Sequence, residues 1–111
     1  MSELRLTYRY GKDLLEAQVD TRGGASTLVR RDKVTLHIDA SRSSVGSFEI
    51  DDFSHFVAYH LLAQLFGDEA IRSISSFQAR VVGTGRDVRK TIQFQSPVAS
   101  RRVVTDLLKA A

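Results

Sequence analysis

The stretch LRLTYRYGKDLLEAQV, residues 4–19, alternates apolar and polar side chains on both sides of a short turn. Residues 4–10 place leucine and tyrosine at every second position, with arginine and threonine between them. This period of two is typical of a β-strand that buries one face. The alternation resumes in residues 15–19, after the turn-forming sequence at 11–13. Residues 4–20 therefore predict an antiparallel hairpin with a charged outer face.

A second hairpin is predicted directly after the first. Residues 26–31 and 34–39 form two further alternating segments around Arg31-Asp32-Lys33, and a serine-rich loop follows them. Phe48 and Ile50 then have the spacing of a short additional strand. The first half of the chain is thus expected to form four or five strands that pair as hairpins.

A helix is predicted from Asp51 or Asp52 to Phe66, with an aspartate as its N-cap and Gly67 after its last turn. Its apolar side chains point in nearly every direction around the axis, so the helix must be buried on more than one side. It is either enclosed by the rest of the fold or it forms an oligomer interface, and we expect the interface. The residues expected to form it are Phe53, Phe56, Val57, Leu61, Leu62, Leu65 and Phe66.

Two more strands and a helix are predicted in the last third of the chain. Residues 77–81 alternate as a strand, 83–87 form a glycine-containing hairpin tip, and 88–95 return as the partner strand. Ser96 and Pro97 then begin the last helix. The expected buried face of this helix is Val104, Leu107, Leu108 and Ala111.

These elements define an α+β fold of one domain, residues 1–111. An antiparallel sheet of about six or seven strands is combined with two helices, in the order β-β-β-β-(β)-α-β-β-α. The 111 residues are 42% apolar and 26% charged, and no apolar run is long enough to cross a membrane. Cysteine is absent, which excludes disulfides and thiolate metal sites. We therefore expect a cytoplasmic protein with no membrane partner, no metal and no cofactor.

Charge is distributed unevenly along the chain. Residues 43–71 contain five acidic and no basic side chains, whereas residues 72–111 contain eight basic and only two acidic ones. Residues 1–42 carry a net charge of +2. This asymmetry predicts either a basic surface for an anionic partner or complementary surfaces that pair between subunits.

The sequence contains no arrangement that makes a strong case for an enzyme. His55 and His60 lie five residues apart, so on one helix they cannot bind the same metal ion. The serines lack a Gly-x-Ser-x-Gly nucleophile motif, and the acidic pairs lie beside predicted helix ends, where capping explains them. An enzyme with a small-molecule pocket between helix and sheet, and with His55 or His60 at the mouth of the pocket, ranks third, after the two hypotheses that follow.

The leading hypothesis is a non-catalytic, oligomeric binding module whose basic surface engages an anionic partner, with nucleic acid expected first. The residues expected to contact phosphates are Arg80, Arg86, Arg89, Lys90, Arg101 and Arg102. The alternative is a structural or assembly protein with no nucleic-acid role, which self-associates through the central apolar helix and the complementary charge blocks.

Overall fold

The computed structural model describes residues 2–19, 26–39, 43–57, 59–94 and 101–110. In chain order the elements are β1 (Ser2–Arg9), β2 (Leu14–Gln18), β3 (Thr27–Arg31), β4 (Val34–Asp39), β5 (Ser44–Ile50), α1 (His60–Val81), β6 (Val88–Phe94) and α2 (Arg101–Ala110). Short 3-10 turns occupy Tyr10–Lys12 and Phe53–His55.

The six strands form one antiparallel sheet in the order β3-β4-β5-β2-β1-β6. The two predicted hairpins are present, and β5 lies between them by pairing with both β2 and β4. After α1 the chain returns to pair β6 with β1 along its whole length, from Ser2 opposite Phe94 to Tyr8 opposite Val88. The predicted α+β fold, an antiparallel sheet with two helices, is confirmed.

The core lies between one face of the sheet and the two helices. Alternate side chains of every strand point to this face, among them Leu6, Leu15 and Leu36, each at most 1% exposed. The helices contribute Phe77 and Val104 to the same cluster. The other strand side chains, which point away from the helices, are half-buried or exposed. The alternation in the sequence therefore becomes a two-layer structure in which the described residues leave one face of the sheet uncovered.

The predicted helix start at Asp51 or Asp52 is wrong, because the backbone there is bonded to other elements. The Phe53 amide donates to the Asp13 carbonyl at 3.0 Å, and Gln78 Nε2 donates to the carbonyls of Phe53 and Phe56 at 2.5 and 2.8 Å. These bonds hold both phenylalanine rings in the core, and α1 begins only at His60.

The predicted strand at 77–81 is also wrong, because these residues are the last turns of α1. Ala70, Ile74, Phe77 and Val81 are all buried, and they recur at the spacing of one helix face. Five alternating residues fit a strand as well as they fit a helix. The predicted break at Gly67 is present as a kink with φ 81° and ψ 170°, after which the helix continues.

Residues 83–87, which were predicted to form a hairpin tip, are therefore a loop that joins α1 to β6, with positive φ at Gly83 and Gly85. In α2 the predicted buried residues Val104 and Leu107 lie in the core, and Leu108 is half-buried. The predictions for Ser96, Pro97 and Ala111 lie outside the described residues.

Asp13 connects the β1–β2 turn to the segment that precedes α1. Its backbone is left-handed, with φ 48°, and its carboxylate accepts hydrogen bonds from the Tyr8 hydroxyl at 2.8 Å, the Ser54 amide at 3.0 Å and the Ser54 hydroxyl at 2.5 Å. Two separate parts of the chain are thereby fixed to one side chain.

This environment changes two pKa values in ways that favour the hydrogen-bonded form. Burial opposes ionisation of Asp13, but the hydrogen bonds from Ser54 and Tyr8 outweigh it, so the pKa of this carboxyl is lowered. Burial, together with the bond to Asp13, raises the pKa of Tyr8 to about 12. The carboxylate is therefore ionised, and the phenol protonated, at neutral pH.

We predict that Asp13→Asn destabilises the fold by roughly 1–2 kcal/mol, because an amide is a weaker acceptor for three donors. Asp32→Asn is the matched control, since Asp32 also has a positive φ of 55° and the same charge is removed. Chemical denaturation at neutral pH measures both. Because the folded-state pKa is lowered, the Asp13 contribution is present above the ordinary aspartate pKa of 3.8 and is lost as the pH falls through the lowered pKa. An Asp13→Asn deficit no larger than that of Asp32→Asn would contradict this role.

Candidate functional site

The face of the sheet that the described residues leave uncovered carries two parallel rows of side chains, all polar except Leu28, that run across all six strands. We call this surface the open face. In each row, every residue lies directly opposite the next one on the neighbouring strand. The first row is Arg89, Thr7, Glu16, Glu49, Thr35 and Arg30. The second row is Thr91, Arg5, Gln18, Ser47, His37 and Leu28.

A groove of about 450 Å³ lies on the open face where both rows cross β6, β1, β2 and β5. Its β6–β1 end is cationic, with Arg89 and Arg5, and its β2–β5 end is anionic, with Glu16 and Glu49. The side chains between these ends are hydroxyls and one amide, which can both donate and accept hydrogen bonds. The groove is therefore a polar surface with opposite charges at its two ends.

Arg89 is the arginine at this site that lacks a counterion. Arg5 pairs with Glu3 at 2.9 Å, and Arg9 lies 3.4 Å from Glu16 and 3.7 Å from Asp87. No carboxylate of the described residues comes within 4.0 Å of the Arg89 guanidinium. An unpaired guanidinium beside a second arginine favours an anionic ligand.

A second depression of about 440 Å³ adjoins the groove at Glu16 and is lined by Arg9, Gly11, Lys12, Glu16 and Asp87. The Asp87 carboxylate accepts a hydrogen bond from the Tyr10 amide at 2.9 Å, which holds the loop before β6 against the β1–β2 turn. Four cations thus lie near one another, three on β1 and β6 and the fourth in the turn after β1. We call Arg5, Arg9, Lys12 and Arg89 the basic strip.

Glu16 and Glu49 lie directly opposite each other on β2 and β5, with both side chains on the open face. Like charges at opposite positions of neighbouring strands repel each other. Their basic neighbours lie on the outer sides of the pair, Arg9 next to Glu16 and His37 Nε2 at 4.0 Å from Glu49. No basic side chain of the described residues bridges the two carboxylates.

The structure does not bring the six predicted phosphate contacts together. Arg89 is on the open face, whereas Lys90, the next residue, points to the side of the sheet that carries the helices. Arg86 is exposed in the loop before β6. Arg80 lies in the last turn of α1, and Arg101 and Arg102 begin α2. These three side chains therefore belong to the helical layer. The predicted arginine-bearing hairpin is absent because its first strand is helical.

Most of the residues predicted for an oligomer interface are packed inside this chain. Five of them are 0–7% exposed, so their side chains are not at the surface: Phe53, Phe56, Leu62, Leu65 and Phe66. Leu61 is half-buried, and Val57 is 85% exposed. Two alternatives were expected for this apolar segment, enclosure by the rest of the fold or an oligomer interface. Enclosure by the fold describes these five side chains.

The histidines are dispersed over three elements. His37 lies on β4, His55 in the 3-10 turn and His60 at the start of α1, so the expected helix shared by His55 and His60 is not formed. Among the described residues, no group of three histidine, cysteine, aspartate or glutamate side chains is arranged to hold a metal ion.

Comparison of the chain with protein-family models, curated proteins and solved structures finds no match. Over the part of the chain that the structure describes, no helix is both long and apolar enough to span a membrane.

Arg5 and Arg9, which belong to the basic strip, were not among the predicted contacts. The alternation in residues 4–10 already placed both on the outer face of β1, which is the signal that identifies them. The sequence could not show that Arg89 lies across from them, because β6 pairs with β1 over a separation of more than eighty residues.

We predict that Glu49→Gln stabilises the protein by about 0.2–1 kcal/mol at low salt, because it removes the repulsion from Glu16 across the strands. The gain should shrink as salt screens exposed charges. Urea denaturation at two salt concentrations measures it. In the double variant Glu16→Gln/Glu49→Gln, the change should be smaller than the sum of the single changes, since either substitution removes the same repulsion. Strict additivity would contradict a direct interaction.

Proposed function

We propose that this protein is a non-catalytic binding module that holds the phosphate backbone of a single-stranded nucleic acid along the basic strip. The observation that carries the proposal is Arg89, whose guanidinium has no carboxylate of the described residues within 4.0 Å and which lies beside Arg5 in the groove on the open face. Guanidinium groups bind phosphate through paired hydrogen bonds.

The existing ion pairs of the strip do not prevent phosphate binding. The Arg5 and Arg9 side chains are 54% and 39% exposed, and their carboxylate partners are similarly exposed. Surface ion pairs contribute only about 0–1 kcal/mol, so a phosphate group can replace the carboxylate at small cost. The strip therefore offers three arginines and Lys12.

A single strand fits this surface better than a duplex does. A two-stranded β-ribbon can enter the groove of a duplex, but the hairpin predicted at 77–95 is instead a helix, a loop and an edge strand. What remains is a shallow surface along β1, on which Arg5 and Arg9 are separated by four residues, or about 14 Å. That length accommodates an extended backbone with more than one phosphate.

Charge and hydrogen bonding must supply the affinity. Neither row of the open face contains a phenylalanine, tyrosine or tryptophan, and Tyr8 is 3% exposed on the opposite side of β1. Base stacking on these large rings, which many single-strand binders use, is therefore not offered by the two rows. We expect binding that is strongly dependent on salt.

Self-association is a second proposal, and the observation that favours it is the sheet edge rather than the apolar helix. Over Val88–Phe94, β6 pairs with β1 on one side, and the described residues supply no strand on its other side. A seven-residue strand with one free edge can pair along that edge with the same strand of a second copy of the chain. Sedimentation velocity over a range of concentrations should then show a dimer, and a monomer throughout would reject this proposal.

Salt titration of a fluorescently labelled single-stranded oligonucleotide, followed by anisotropy, tests the main proposal. For the unmodified protein, log affinity should fall linearly with log salt, with a slope of about −0.7 for each phosphate contacted. In Arg5→Gln/Arg89→Gln the affinity should decrease roughly tenfold or more, and the slope should lose about 1.4 in magnitude.

The matched control is Arg101→Gln/Arg102→Gln, which removes two positive charges from α2 in the helical layer. We expect this variant to bind nearly as tightly as the unmodified protein and to keep its salt slope. Equal losses in both variants would show that only net charge matters. Absence of binding by the unmodified protein at low salt would reject the proposed function.

A further inference from the structure

The anionic end of the groove needs an explanation if the cationic end binds phosphates. Ionised carboxylates accept hydrogen bonds and donate none, and they repel phosphate. Glu16 and Glu49 are therefore not suited to contact the phosphates of a bound strand. They lie beside it, one and two strands away from β1, on the same continuous surface as Arg89.

The register sets the distance over which a nucleotide would extend. Arg89, Thr7 and Glu16 are consecutive members of one row on β6, β1 and β2. Neighbouring strands are about 4.8 Å apart, so the backbones at Arg89 and Glu16 are separated by about 10 Å. When a phosphate is held at Arg89, its sugar and base can lie across β1 and present the edge of the base to the carboxylates.

We infer that Glu16 and Glu49 accept hydrogen bonds from the exocyclic amino groups of the bases, so that the groove prefers amino-bearing bases to uracil and thymine. This inference rests on the proposed function. Cytosine presents an amino donor at the position where uracil and thymine present a carbonyl acceptor. Two carboxylates favour the donor and repel the carbonyl oxygen.

The repulsion between the two carboxylates fits this role. An opposed glutamate pair without a bridging cation costs stability, and such locally unfavourable arrangements are expected where a site serves binding. A bound amino group would place hydrogen-bond donors between the two acceptors. Gln18 and Ser47, beside them in the second row, supply polar groups for the rest of the base edge.

The test compares oligomers of deoxycytidine and deoxyuridine of equal length at neutral pH. The two share one backbone and a pyrimidine ring of the same size. They differ at position 4, which is an amino donor in cytosine and a carbonyl acceptor in uracil, and at N3, which accepts in cytosine and donates in uracil. The unmodified protein should bind the deoxycytidine oligomer about tenfold more tightly, within the range expected for direct recognition of a base edge. The salt slopes of the two oligomers should be the same, because the phosphate contacts are identical.

Glu16→Gln/Glu49→Gln should bring the affinity ratio close to one, because a glutamine amide can donate to the uracil carbonyl or accept from the cytosine amino group. Affinity for the deoxyuridine oligomer should increase. The control is Glu3→Gln, which removes a negative charge on β1 next to Arg5 and leaves the groove carboxylates in place. Its affinity ratio should remain about ten. A thermal unfolding curve for each variant verifies that it is folded.

The outcomes separate the two proposals. If the unmodified protein binds both oligomers equally, or if the ratio persists in Glu16→Gln/Glu49→Gln, base selection by the carboxylates is overturned while backbone binding stands. If neither oligomer binds at low salt, the proposed function and this inference are both overturned.

Discussion

Two helices cover one face of a six-stranded sheet, and this one-sided burial determines what the opposite face can do. Each strand contributes its apolar side chains to the core and leaves its polar ones in water. Because residues directly opposite on neighbouring strands share a face, the register turns separate polar positions into continuous rows. A groove with arginines at one end and carboxylates at the other results from the same alternation that builds the core.

Much of the fold could be predicted because alternation and turn chemistry are local. The hairpins of β1 with β2 and of β3 with β4 follow from spacing and from turn residues alone. The segment at 77–81 could not be assigned correctly, because Phe77 and Val81 are compatible with both a strand and a helix. Only their combination with Ala70 and Ile74 over several turns identifies the helix. The late start of α1 depends on a hydrogen bond that the Asp13 carbonyl accepts from Phe53 and on one that Gln78 donates to Phe53, and both partners are distant from Phe53 in sequence.

The candidate site was less predictable than the fold, because it depends on which strands are neighbours. Charge blocks along the sequence suggested a basic C-terminal part, but helix and sheet separate Arg101 from Arg89. Conversely, Arg5 and Arg89 are far apart in the chain and meet through the pairing of β1 with β6. The acidic Glu49 belongs to the same groove, although it comes from the acidic middle block. Sequence identified the chemical groups, and long-range strand pairing determined which of them share a surface.

The most direct measurement of the central claim is a two-dimensional NMR titration of isotope-labelled protein with a single-stranded oligonucleotide at low salt. The account predicts that amide signals of β1, β2 and β6 shift progressively, with the largest changes around Thr7 and Thr91 beneath the groove. Signals from α2 should remain in place. Shifts concentrated on Arg101 and Arg102, or a spectrum that does not change at all, would contradict the assignment of the open face as the binding surface.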